Sequence, residues 1–175
     1  NDEQALVNVV TKDLSQAFGA PVTVRLFPLS AYTEKGFSLM NGDCLDDLDV
    51  SCTSYSPDAD LLQCQQDKSV AETLYSHLLK TNCPVTAQPD WATVIIEYRG
   101  GKINREGLLK YLVSYRGHQD FHEHCVESIF ADILERCAPE ELSVYARYTR
   151  RGGLDINPYR STGKPLQGFY RTSRQ

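Results

Sequence analysis

The stretch ATVIIEYRGG, residues 92–101, decides how the rest of this chain is read. β-Branched and apolar residues crowd it and Gly100-Gly101 closes it, which predicts a strand. Two helical patterns follow. Leu108, Leu109, Leu112 and Val113 predict a helix over 105–115, broken at GHQD. Phe121, Val126, Ile129, Phe130, Ile133 and Leu134 predict a second helix over 121–137, with Pro139 just beyond it. LSVYARYT, residues 142–149, alternates as a strand, RRGG turns, and LDIN, residues 154–157, predicts its hairpin partner. The order strand, helix, helix, strand, strand predicts an α+β fold, an antiparallel sheet with two helices packed on one face. After Pro158 the composition reads as loop.

Upstream the signals are weaker. Ser69 and Glu72 match a capping box, and Ala71, Leu74, Leu78 and Leu79 carry a helical spacing that Pro84 must end at Cys83. Ala5, Leu6, Val9, Val10, Leu14, Ala17 and Phe18 predict a first helix, ended by Gly19 and Pro21. VTVRLF, residues 22–27, then alternates like a strand. Residues 31–68 read as a connection, with a short strand at FSLM, residues 37–40. The chain begins at Asn1 and its only methionine is Met40, so a processed or partial polypeptide is expected.

The 175 residues suffice for one domain and part of another. A hydrophobic share of 41% with 23% charged residues is that of a globular protein. The longest apolar run, ATVII, is too short to span a bilayer, so no membrane role is expected. The net charge of −5 argues against general nucleic-acid binding. Asp43 to Asp60 nevertheless holds six aspartates and no basic residue, and Arg147 to Arg174 holds seven basic residues against Asp155. That basic tail suggests a local anion site. None of the six cysteines forms a C-x-x-C pair, so zinc-ribbon spacing is absent and free thiols in a reducing, cytoplasmic compartment are expected.

Four places carry candidate chemistry, each beside a plainer reading. Cys83 is either a small buried filler or a nucleophile needing groups that favour its thiolate. Asp90 is either a turn residue bonding a nearby N–H or a general acid. DFHEHC, residues 120–125, is a capping box over Asp120 and Glu123, a metal site, or a helix end presenting His122 and Glu123 to a planar heterocycle. Residues two apart on a helix diverge by about 200°, so His122 and His124 are poor joint ligands and no metal is expected. Arg150 and Arg151 are either surface arginines of a hairpin or a phosphate clamp.

Taken together, NCPVTAQPDWATVIIEY (82–98), SYRGHQDFHEHC (114–125) and YARYTRRGGLDINPYR (145–160) closely resemble the NADPH-dependent 7-cyano-7-deazaguanine reductases, the nitrile reductases of queuosine biosynthesis. The likeness runs from about residue 70 to the end. It implies a tunnelling fold (T-fold), related to GTP cyclohydrolase without its zinc, with a remnant of a first module over 1–30, a connection over 31–68 and a catalytic module over 69–175. It implies that Cys83 attacks the nitrile carbon to give a thioimide, that Asp90 supplies a proton, that Glu123 holds the deazapurine with His122 assisting, and that Arg151 and Arg150 meet NADPH. A cytoplasmic homo-oligomer acting on a small deazapurine, with no direct nucleic-acid partner, is the expectation. Alternatives are a non-catalytic purine- or pterin-binding module and a cyclohydrolase-like zinc hydrolase. One departure stands out. The family's cofactor lysines, in a motif like E-S-K-S-L-K, fall here on Glu106 and Leu109. Cys125 lies two residues past Glu123, so Cys83 and Cys125 are expected to approach each other, and a disulfide between them needs Cα atoms within about 7 Å.

Overall fold

A computed structural model describes residues 2–28, 30–31, 36–166 and 171–175. The chain divides into two compact units, Asn1–Ser38 and Leu39–Gln175.

In the first unit, α1 spans Glu3–Phe18. Asp2 caps it, its carboxylate accepting from Ala5 N–H, and Gly19 closes it with φ 64°, a left-handed geometry that costs glycine little. VTVRLF is not a strand, nor is FSLM: residues 21–28 and 36–40 take no strand conformation. Alternation marks a surface suited to a sheet, but a strand exists only where a partner takes its backbone groups.

In the second unit five strands form one sheet in sequence order. β1 (Asp43–Cys44) runs parallel to β2 (Cys64–Asn82). β3 (Pro89–Ile103), β4 (Glu141–Tyr148) and β5 (Tyr159–Ser161) continue it antiparallel. α2 (Arg105–Ser114) and α3 (His122–Cys137) lie between β3 and β4, with a single 3-10 turn at Tyr115–Gly117. Val94, Ile96 and Tyr98 of β3 and Leu142, Val144 and Ala146 of β4 alternate onto one face, where Leu108, Leu112, Val126, Ile129 and Ile133 of the two helices bury them. This is the α+β layer that the residue order predicts.

Three local expectations fail. The helix expected from Ser69 is β2. Its apolar residues look helical because a β-bulge between Ser76 and Leu79 inserts one residue. Leu74 and Ser76 face the core before the bulge, and Leu79 and Thr81 face it afterwards. The bulge thus turns a period of two into the irregular spacing of Leu74, Leu78 and Leu79. Gly100-Gly101 does not close β3, which runs on to Ile103. Gly100 is there for space, since a Cβ would lie 2.8 Å from Pro139 Cα. LDIN is not the partner of β4. Residues 151 and 154 form a single bridge, and β5, from the presumed loop, takes that edge.

Gly107 offers a test of the packing. An exposed helical glycine changed to alanine gains up to about 1 kcal/mol. Here the added Cβ would lie 2.3 Å from the Leu61 carbonyl oxygen. Gly107→Ala is therefore expected to destabilise by about 1–3 kcal/mol, read as a lowered midpoint of denaturant unfolding. A raised midpoint would contradict this contact.

Candidate active site

The site begins where β2 ends. Asn82 donates its N–H to the His118 carbonyl and accepts from Asp120 N–H, so the end of β2 is fastened to the segment entering α3. Lys80 reinforces the junction, its ammonium donating to Asn82 Oδ1 and to the Arg116 carbonyl. Cys83 therefore follows a strand, not a helix, and Pro84 opens a turn. That turn is closed by Ala87 N–H donating to the Cys83 carbonyl and by Cys83 N–H donating to the Gln88 carbonyl. Gln119 also donates to the Cys83 carbonyl, at 3.1 Å.

Cys83 is half-buried rather than core. Hydrogen bonds from the Thr86 hydroxyl, then from the Thr86 and Val85 N–H groups, together with the charge of Arg151, hold its thiol below the ordinary cysteine pKa. Burial opposes them, by more than the Arg151 charge contributes. Cys83 is thus not one of the buried core residues.

Asp90 lies opposite Thr81 at the start of β3 and is 2% exposed. Arg151 Nε donates to its Oδ1 at 2.7 Å, and Nη2 lies 2.5 Å from the same oxygen. The other carboxylate oxygen, Oδ2, stands 3.1 Å from His122 Nε2. The His122 ring is buried and stacks on Tyr148 at 3.8 Å between centroids, 7° from parallel. Its Nδ1 is buried without a protein partner. The site thus holds a carboxylate–imidazole pair, joined through Arg151 to the turn that carries a thiol of lowered pKa.

Arg151 ties these pieces together. Besides Asp90, it reaches Thr86 Oγ1 at 3.4 Å and the Gln88 carbonyl at 3.3 Å. Arg150 pairs instead with Asp155 at 2.9 Å. Glu123 stands exposed in the first turn of α3. The capping box is not formed, because Phe121 is the N-cap and the Asp120 carboxylate accepts from Phe121 N–H and faces His124 Nδ1 at 3.1 Å. His122, His124 and Cys125 do not converge. His122 meets Asp90, His124 meets Asp120, and Cys125 is buried near Thr81 and Tyr148 with its thiol pushed up to about 12 by burial. Cys83 and Cys125 are both free thiols. Sequence reasoning missed Thr86 and Tyr148. Both lie inside the motifs quoted above, but nothing in their spacing marks the bond within the Cys83 turn or the stacking of Tyr148 on His122.

The QueF-like protein family model matches residues 89–167. An NADPH-dependent 7-cyano-7-deazaguanine reductase of Saccharophagus degradans is 57% identical over 94% of this chain. One of Dechloromonas aromatica is 57% identical over 91% of it. This chain is a homologue of those reductases. It spans 61% and 56% of their respective lengths. A solved structure, the apo form of the archaeosine synthase QueF-Like, covers 55% of this chain and 96% of its own at 22% identity, with a TM-score of 0.48. Against the reductases' shared name, the placement of Cys83 is the feature of most interest. Among the described residues no helix is long and apolar enough to cross a membrane.

Thr86 offers a direct check on the thiol. Thr86→Val removes the hydroxyl that contributes most to the lowered pKa of Cys83. Alkylation of Cys83 by iodoacetamide, followed against pH, is expected to show its midpoint moved up in the variant. An unmoved midpoint would remove Thr86 from the account.

Proposed function

We propose that this chain captures 7-cyano-7-deazaguanine through Cys83, as part of an NADPH-dependent reductase that converts the nitrile to 7-aminomethyl-7-deazaguanine in queuosine biosynthesis. The observation that carries this reading is the joining, through Arg151, of a thiol of lowered pKa to the buried Asp90–His122 pair.

A nitrile carbon is electrophilic and a thiolate is a soft nucleophile. As the Cys83 S–C bond forms, one C≡N π bond breaks and its electron pair moves to nitrogen. The nitrogen then takes a proton, giving a thioimide. The Asp90–His122 pair, with Oδ2 3.1 Å from Nε2, is the proton donor proposed for that nitrogen. Tyr148 holds the imidazole plane, and Arg151 holds the carboxylate. Glu123, exposed at the mouth of α3, is the acceptor proposed for the N–H groups of the deazapurine ring.

NADPH is the reductant that the relatives' names specify. The residues that sequence reasoning reserved for it do not fit it as they stand. Arg151 and Arg150 are engaged by Asp90 and Asp155. Of the family's lysine positions, Leu109 is buried in the core and Glu106 is an acid in the first turn of α2. The described residues supply the capture half of the site, and no hydride-transfer step follows from them. The proposal extends to a cytoplasmic, homo-oligomeric protein, since open sheet edges associate.

Intact-mass measurement after incubation with the nitrile tests the reading. A covalent adduct in the native chain and none in Cys83→Ala is the expected result. Reversible binding of the heterocycle without an adduct would instead favour a binding module.

A further inference from the structure

The six-aspartate stretch has no part in the site above. Asp46, within it, stands beside two other groups of metal-ligating type. One ligand atom from each of Cys44, Asp46 and His77 lies within 4.8 Å of the others. We propose that these three residues form a site for a divalent cation of the zinc class. The inference does not depend on the reductase reading and shares no residue with the Cys83 group.

The donor set is one thiol, one carboxylate and one imidazole. Mixed sulfur, nitrogen and oxygen donors select zinc over magnesium or calcium, which prefer oxygen alone. Three protein ligands leave a fourth tetrahedral position for water or another small donor.

The ligands stand on paired backbone. Cys44 of β1 is in register with Tyr75 of β2, and Leu45 N–H donates to the Tyr75 carbonyl. Gly42 permits this approach, because its φ is 114° and a Cβ there would lie 2.3 Å from the Thr73 carbonyl oxygen. Asp46 and His77 also have outer partners. The Asp46 carboxylate accepts from Ser76 Oγ at 2.6 Å and from His77 N–H at 3.1 Å. Thr93 Oγ1 lies 2.8 Å from His77 Nδ1. Such outer contacts set the plane and tautomer of metal-bound side chains. The bound ion would be neutralised by the thiolate and Asp46, with Asp47 close by. Arg174, which lines the hollow shared by His77, Trp91 and Thr93, opposes it.

The spacing explains why the sequence hides this site. Two ligands lie two residues apart and the third comes from the next strand, so no short motif spans them.

The test uses the full chain, stripped with a chelator and titrated with Co2+. The expected result is saturable 1:1 uptake, with thiolate-to-cobalt charge-transfer absorption and four-coordinate ligand-field bands, displaced by Zn2+. Cys44→Ser should abolish the charge-transfer band, whereas Cys83→Ala should leave it. Asp46→Asn and Thr93→Val should each weaken uptake by about 10-fold or more, with circular dichroism confirming the fold. A band that survives Cys44→Ser, or unchanged affinity in both Asp46→Asn and Thr93→Val, overturns the proposal. So does the lack of stoichiometric uptake.

Discussion

Asp90→Asn is expected to slow capture of the nitrile by about 10²–10⁴-fold, the range that a positioned proton donor or acceptor contributes. The asparagine keeps the shape of the carboxylate and can still accept from Arg151. What changes is the face toward His122. The carboxylate oxygen now 3.1 Å from Nε2 can accept or carry a proton. An amide in its place either offers N–H groups that cannot be given up or presents an oxygen that stays unprotonated. The imidazole then loses its carboxylate partner, and the nitrogen of the attacked nitrile has no acid nearby. Two rates separate this effect from a damaged thiol. Adduct formation with the nitrile should fall, whereas alkylation by iodoacetamide, which needs no proton at nitrogen, should stay within a few-fold. Capture at the native rate would exclude the pair from the reaction. An equal fall in both rates would point to the thiol instead.

Much of the fold was legible because its elements follow single periods. β4 alternates, and α2 and α3 keep apolar residues at three- and four-residue intervals against that strand and β3. β2 was misread because its bulge falls within the pattern used to read it, and local spacing cannot reveal a residue skipped by the neighbouring strand. The Arg150–Asp155 pair, Gly152 at φ 57° and Gly153 at φ 83° shape a compact turn where an extended hairpin was expected. At the site, residue types were legible and neighbourhoods were not. Cys83, Asp90, His122 and Arg151 come from four segments, brought together by the Thr81–Asp90 register, the junction at Asn82 and the turn after β4. The resemblance supplied roles for these residues. The part of Arg151 in holding Asp90 and the Cys83 turn is visible only in the folded structure.

That part makes Arg151→Ala the variant with the largest expected effect on stability. Removing one member of a buried ion pair costs about 3–5 kcal/mol, because the other charge is left without compensation. Asp90 meets that description, with 3% of its side chain exposed. Arg151 itself is 35% exposed, so water can partly replace it, and a loss of about 2–3 kcal/mol is the better expectation. The same change unties Thr86 and Gln88 and withdraws a charge that favours the Cys83 thiolate. The pH midpoint for Cys83 alkylation should therefore rise together with the drop in unfolding free energy. Arg151→Lys should recover part of the charge but not the reach to three acceptors, since a lysine is a point charge without the planar fork. The decisive comparison is the double variant Arg151→Ala with Asp90→Asn. If the stability loss comes from an orphaned carboxylate, neutralising Asp90 returns much of it, and the two changes are strongly non-additive. Simple addition of the two losses would show that Arg151 acts through packing alone, and that the pairing with Asp90 does not hold the Cys83 turn in place.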